Sequence, residues 1–415
     1  MEAVRAFAPG RTELAGNHTD HQGGRVIAAA VDCGVEMMVQ PNSSTRARVA
    51  SEGFAPFEIE LVDVSPREDE RFTTAALVRG VVAGLRAMGV SVEGFDAQVT
   101  STVPSGGGLS SSAAFELALA QALCDLASRT TGTEGVVNFS SSRADSVALP
   151  EKLTTPSVPV VRQVQLAKIG QAAERDWFGK ACGLMYQLAV ALGGIVAIDF
   201  AGDEPQVERI DFDFERAGYA ICLVDTHCDH SRYTDDYSQV SLDMSAVAEL
   251  LGARVLSQVP EEAFFGRFEE VRDKLGDVPA LRGLHYYHEN RLVDARARAL
   301  REGDIDAFLH FTRVSGSSSA QYLQNVSTFD RASQPAMVAL ALADKFLGGQ
   351  GAVRIHGGGF GGSIQAFVPL DRVEAFIRWM DAHLGDGSCR AYRVTQKGAC
   401  MGIDRCTETP SLKTW

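Results

Sequence analysis

At 415 residues, 45% hydrophobic and 22% charged, the chain has a soluble globular composition and is long enough for two domains rather than one. A formal net charge of −14 argues against general binding to nucleic acid or to an anionic membrane, while leaving room for an anionic ligand in a local pocket. The start, Met1-Glu2-Ala3-Val4-Arg5, lacks the apolar core of a signal peptide. The longest apolar runs, such as Leu188 to Ile198, fall short of the roughly 18–20 residues of a membrane span, so a cytoplasmic location is expected.

Arg5 to Ala8 reads as a short strand leading into a loop, Pro9 to Gly24, that carries Arg11, Asn17, His18, Asp20 and His21 between glycines. So dense a set of hydrogen-bonding groups, followed at once by the apolar strand Val26 to Val31, suits the reading of a polyhydroxyl ligand. Further strands are expected at Val35 to Gln40, Ala47 to Ser51 and Phe57 to Leu61, then a helix at Thr73 to Met88. An alternating strand, Phe95 to Val103, runs into Pro104-Ser105-Gly106-Gly107-Gly108-Leu109-Ser110-Ser111-Ser112, and an Ala/Leu-rich helix follows to Leu126. Glycines let backbone approach a ligand, and free N–H groups at a serine-capped helix start attract an anion. The stretch therefore reads either as a phosphate cradle or as an ordinary capped helix. It is not a Walker A loop, because Leu109 stands where a lysine would be needed. Any phosphate here requires its charge to be met from elsewhere, most simply by Mg²⁺.

Residues 128 to 160, with Ser140-Ser141-Ser142 and three prolines (Pro150, Pro156, Pro159), read as an exposed insertion. Helical pattern resumes from Arg162 to Trp177, and Gly194 to Phe200 is strand-like. A domain boundary is expected at the acidic turn near 203, giving an N-terminal domain over 1–203 and a C-terminal one over 204–415. In the second half a strand spans Tyr219 to Asp225. Helices follow around Asp243 to Leu251, Ala263 to Leu275, Leu281 to Gly303 (broken near Gly283) and Ala336 to Leu347. His227-Cys228-Asp229-His230 reads as a polar turn rather than a shared metal site, since adjacent side chains diverge. The eight cysteines contain no Cys-x-x-Cys pair and read as reduced, mostly buried thiols. Gly357 to Gly362 satisfies G-x-G-x-x-G, yet a strand follows the glycines, so a tight turn that packs closely against a ligand or another loop is the better reading.

Three of these motifs, in this order, resemble the GHMP kinase superfamily and within it the galactokinase family: Gly10-Arg11 through Asp20, Pro104 through Ala114, and Gly357 through Gly362. Glu174 and Cys182-Gly183-Leu184-Met185 add to the likeness, which covers nearly all of the chain outside the insertion. The resemblance implies an α+β two-domain fold with a ribosomal protein S5 domain 2-like N-terminal domain and a ferredoxin-like C-terminal domain. It also implies ATP- and Mg²⁺-dependent phosphorylation of the anomeric hydroxyl of galactose, with sugar and ATP as partners, neither nucleic acid nor membrane, and a monomer or weak homo-oligomer.

By the same resemblance, Arg11 is a catalytic arginine. Asn17, His18, Asp20, Gly183 and Tyr233 contact the sugar. Gly106, Gly107, Gly108, Leu109, Ser110, Ser111 and Ser112 line the triphosphate, and Ser112 and Glu174 hold the metal. Two positions depart from the family pattern: Asn17 replaces a glutamate, and Tyr186 replaces the catalytic aspartate. Asn17 can donate as well as accept, which suits galactose or a sugar bearing a different group there. A phenol is a poor base at neutral pH, though Arg11 nearby could lower its pKa. The alternatives left open are a kinase for another hexose or a uronic acid, and a galactose/ATP-binding sensor without turnover.

Overall fold

A computed structural model describes residues 3–104, 108–131, 158–180, 182–228, 233–328 and 330–401. Gly106, Gly107, Asp229 and His230 lie outside the described residues, as does most of the insertion. In the first half, β1 (Val4–Ala15), β2 (Arg25–Pro41), β3 (Arg46–Ser51) and β4 (Phe57–Glu60) precede α1 (Thr74–Ala87) and β5 (Phe95–Ser101). There follow α2 (Ser111–Thr131), α3 (Val158–Ala172), a π-helical turn at Ala173–Phe178, α4 (Met185–Leu192), β6 (Ile195–Asp199) and β7 (Gln206–Ile210).

The second half holds β8 (Tyr219–Asp225), α5 (Thr234–Leu250), α6 (Glu261–Gly266), α7 (Phe268–Leu275), α8 (Asp277–Glu302) and α9 (Ile305–Ser318). The remaining elements are α10 (Pro335–Leu347), β9 (Ala352–Ile355), β10 (Ser363–Pro369), α11 (Val373–Leu384), β11 (Cys389–Tyr392) and β12 (Cys400–Met401).

An eight-stranded sheet runs β12-β1-β2-β5-β3-β4, with β6 and β7 continuing from β2. β2 serves two sets of neighbours because it is long: residues 35–41 pair with β5, and residues 25–29 pair with β6. Its inner residues Val26, Ala28, Val31 and Val35 are buried against α2 and α4, whose alanines and leucines fill the space beneath. A four-stranded sheet, β11-β8-β10-β9, forms the second core with α10 and α11. Both β7, past residue 203, and β12, near the other end of the chain, join the first sheet, so the chain crosses between the two sheets more than once. The fold is α+β with two sheets, each covered by its own helices.

Several expectations change: β1 continues through Ala15 instead of giving way to a loop after Ala8, and the strands expected at Val26 to Val31 and Val35 to Gln40 are one strand, β2. α8 runs unbroken through Gly283, and the glycine's role is packing: a Cβ there would come within 2.8 Å of the Phe264 ring. Cys33, Cys124, Cys182, Cys222, Cys228 and Cys389 are free, but Cys400 is disulfide-bonded, which the scattered spacing of the cysteines gave no reason to expect.

The two halves are joined by a buried ionic network. Glu289 on α8 pairs with Arg296 two turns along, accepts from Ser315 Oγ on α9 (2.9 Å) and accepts from the backbone N–H of Gly16 (3.2 Å), just past β1. Arg296 and Arg354 both donate to the carbonyl of Leu14 (3.1 and 3.3 Å), and Arg354 also pairs with Glu13. Burial raises and the neighbouring arginines lower the Glu289 pKa; the arginines win, holding it at about 2. Removing one member of such a pair strands a buried charge at a cost of about 3–5 kcal/mol. Glu289→Gln should therefore lower unfolding stability in urea by about that amount at neutral pH. A loss below about 1 kcal/mol would mean that this network is not what joins the halves.

Candidate active site

The network delivers β1 and the loop that follows it into a cleft. Arg11 is only 4% exposed, so its position is decided by its contacts. Its Nη1 donates to the carbonyl of Gly108 (2.8 Å), its backbone N–H donates to the carbonyl of Leu109 (3.1 Å), and its guanidinium carbon lies 3.8 Å from the centroid of the Tyr186 ring. Its buried Nε has no partner. One side chain thus ties the Gly/Ser loop to the first turn of α4.

The Gly/Ser loop is held tightly. Gly108 adopts φ +69°, and a Cβ on it would sit 3.1 Å from both His356 Nδ1 and Ser363 Oγ. Ser110 takes φ +59° despite having a side chain, the kind of backbone strain that collects at functional sites. Leu109 buries its side chain in the core and offers the cleft only backbone. Ser111 opens α2, whose first N–H groups have no intrahelical partners.

One residue further, Ser112 Oγ donates to Glu174 Oε1 (2.9 Å), across 62 residues of sequence. Glu174 stands on the π-helical turn, itself a rare element that favours functional positions. Its Oε1 also pairs with Lys180 Nζ (3.2 Å), and its Oε2 accepts from Gln187 Nε2 (2.9 Å). Gln187 Nε2 reaches in addition to Glu116 Oε2 (3.2 Å). Burial, reinforced by the Glu174 charge, pushes the Glu116 pKa well above the usual carboxylate range. Lys180, Gln187 and Glu116 are absent from the sequence reading. No local motif marks them, and only the tertiary fold brings them together.

On the opposite side lies the polar loop. Gly183 packs against Asp20, where any Cβ would collide with Oδ2. Burial raises the Asp20 pKa, opposed by backbone N–H bonds from His21 and from Asp20 itself. Asn17 is fully buried and committed to the protein: Nδ2 donates to the carbonyl of Gly357 (2.5 Å), and Oδ1 accepts from Asn325 (2.8 Å) and Ser319 (3.2 Å). It anchors the loop to the glycine turn between β9 and β10, where Gly359 allows the approach of Asn325.

His18 adopts φ +59° and bonds through Nε2 to the carbonyl of Gly358 (3.0 Å). A carbonyl can only accept, so Nε2 carries the hydrogen and Nδ1 accepts from His21 Nε2 (3.2 Å). Burial holds both imidazoles neutral, lowering His18 to about 3 and His21 to about 4.

Tyr233 does not reach this cleft. Its ring is buried with Val240, Met244 and Phe264 beneath α5. One turn later, Tyr237 does reach it: its ring lies 5.3 Å from that of His18 and packs on Gly358. Tyr237 stands four positions beyond the tyrosine to which the resemblance points. Among the described residues no cluster of three or more His, Cys, Asp or Glu could hold a metal, and no helix is long and apolar enough to cross a membrane.

The Gly/Ser loop thus stands at a helix start, braced by an arginine and faced by a Ser/Glu pair whose carboxylate is buried. Residues 76–142 match the family model for the GHMP kinases N terminal domain, and residues 2–41 match the galactokinase galactose-binding signature. The galactokinase of Streptomyces coelicolor is 30% identical over 408 residues, covering 96% of this chain and 93% of that one. The galactokinase of Actinobacillus pleuropneumoniae is 28% identical over 382 residues, covering 91% and 88%. The chain belongs to the galactokinase family. Its fold is also that of Lactococcus lactis galactokinase complexed with galactose, at a TM-score of 0.75, 22% identity and 96% and 95% coverage.

The neutral histidines make the site acid-sensitive. An unfolded chain takes up protons on them near pH 6.5, whereas the folded chain refuses them until about pH 4 and 3. Their contribution is present above pH 6.5 and is lost as the pH falls toward 4. The thermal midpoint should drop across that window, and His21→Gln should flatten the slope. An unchanged slope in the variant would contradict the neutral pair.

Proposed function

We propose that this chain transfers the γ-phosphoryl group of ATP to the anomeric hydroxyl of galactose. The observation that carries the reading is Arg11, joined to the Gly108 carbonyl on the phosphate side and stacked on Tyr186 beside Gly183 and Asp20 on the sugar side. Phosphoryl transfer asks mainly for positioning and charge stabilisation, and a fixed guanidinium at the junction of both substrates supplies both.

The triphosphate would lie on the Gly108–Ser111 backbone and the start of α2, which offers N–H donors and the positive end of the helix dipole. A divalent cation fits Ser112 and Glu174: both are hard oxygen donors, and their oxygens already converge to 2.9 Å. Such a cation neutralises developing phosphate charge. Gln187 and Lys180 hold the carboxylate that would bind it, and entry of the metal would displace Lys180 from Oε1. Asp20, Tyr237 and the backbone at Gly183 would meet sugar hydroxyls. His18 and Asn17 would shape the loop rather than read the sugar directly, since their polar atoms are already satisfied within the protein.

ADP release with Mg·ATP, measured against a panel of hexoses and uronic acids, tests the assignment. Galactose should give the highest kcat/KM, and preference for a uronic acid would overturn it. Ser112→Ala should raise the Mg²⁺ concentration for half-maximal rate by about 10-fold or more. The same variant should bind galactose within about twofold of wild type in calorimetry. Equal losses in both would remove Ser112 from the metal site.

A further inference from the structure

Tyr186 stands where a kinase of this kind would need a proton acceptor, if it needs one. Most of the acidic and imidazole groups around it are already engaged. Glu174 is shared by Ser112, Lys180 and Gln187, Glu116 lies fully buried behind Gln187, and Glu13 is tied to Arg354. In His18 the Nε2 hydrogen goes to Gly358 and the Nδ1 lone pair to His21, while His21 Nδ1 faces the Gln22 amide at 3.4 Å. Asp20 abuts Gly183 with Oδ2, and burial raises its pKa. Tyr186 itself lies under the Arg11 guanidinium.

We propose that Tyr186 acts as a neutral wall that holds Arg11 over the reacting atoms, and that the acceptor proton leaves on the transferred phosphoryl group rather than on the protein. The inference rests on the sugar-kinase reading above. In the step, the anomeric oxygen bonds to the γ-phosphorus as the bond from that phosphorus to the bridging oxygen breaks, its electron pair leaving with ADP. The hydroxyl proton passes to a non-bridging oxygen of the same phosphoryl group, and water removes it from the sugar phosphate later.

Two physical points support this. Burial raises the Tyr186 pKa well above 10 and that of Tyr237 to about 12, so neither phenol is a phenolate at neutral pH. A loose transition state builds little charge on the attacking oxygen, so an early base gains little. What remains useful is the ring face. A cation 3.8 Å from the centroid is held without being neutralised, so Arg11 keeps its charge for the phosphoryl oxygens.

The test is steady-state ADP release with galactose from pH 6 to 9, with calorimetric galactose binding alongside. It uses wild type, Tyr186→Phe, Tyr186→Ala and Asp20→Asn. Wild-type kcat should be flat across this range. Tyr186→Phe, which keeps the ring, should retain kcat within about fivefold, whereas loss of a true general base costs about 10²–10⁴-fold. Tyr186→Ala should lose at least about tenfold more than Tyr186→Phe while still binding galactose, because the guanidinium loses its support. A fall of about 10²-fold or more in Tyr186→Phe with binding intact would make the phenol a proton carrier and overturn the proposal alone. An acid limb in wild-type kcat that Asp20→Asn abolishes would place the base at Asp20 and likewise overturn it. A wild type that binds galactose and ATP without turnover would overturn both this proposal and the function it rests on.

Discussion

The cleft depends on Glu289. Its carboxylate is wholly buried, yet it receives hydrogen bonds from Gly16 N–H, Ser315 and Arg296, so its charge is compensated from three elements at once. Gly16 is the hinge between β1 and the polar loop, with φ +98° and no room for a Cβ against β2. Fixing that N–H therefore fixes where the loop begins. Arg296 and Arg354 meet at the Leu14 carbonyl, which registers β1 against α8 and β9 together. Hydrophobic packing alone would tolerate small slides between the halves. Directional bonds between buried charges do not, because a misplaced charge in a dry interior is strongly penalised.

From that anchor the cleft is built in layers. β1 carries Arg11 to the Gly/Ser loop, and Thr12 beside it bonds His356 at 3.0 Å, which in turn bonds Ser363 at 3.0 Å. Since Gly108 lies against both His356 and Ser363, the phosphate side is supported by the second sheet as well as the first. Asn17 and His18 grip the backbone of Gly357 and Gly358. The third glycine motif therefore serves the first motif as a rigid backbone acceptor, and its glycines are needed because Tyr237 and Asn325 come too close for side chains.

Much of this was legible in the sequence where the signal is local. A strand, a run of glycines and serines, and a helix announce themselves within a short window, as does the polar loop after β1. The class of fold followed from motifs that keep their order. What was not legible depends on contacts between distant segments. Asn17 meets Gly357 and Asn325 more than 300 positions away, so its full commitment to the protein could not be read from its type. Tyr233 and Tyr237 share one helical segment, and only the packing of α5 decides which of them faces inward. Gly283 looked like a helix breaker because propensity disfavours it, but tertiary packing against Phe264 overrides a cost of about 1 kcal/mol. Gln187 carried no visible signal, since an amide bridging two buried carboxylates looks like any other glutamine.

Tyr186 sets the electrostatics around Arg11 through the face of its ring. A carboxylate beside Arg11 would form an ion pair and draw the guanidinium toward itself, lowering the positive potential available to a phosphoryl group. An aromatic face attracts the same cation through its quadrupole, worth about 0.5–2 kcal/mol, and leaves the formal charge intact. Burial also pushes the Glu116 carboxyl toward its neutral form and keeps the imidazoles of His18 and His21 neutral beside this cleft. On the kinase reading proposed above, backbone dipoles, a divalent cation and an Arg11 stacked on a ring rather than paired with a carboxylate would together offset the charge of a triphosphate held by a loop that has no lysine.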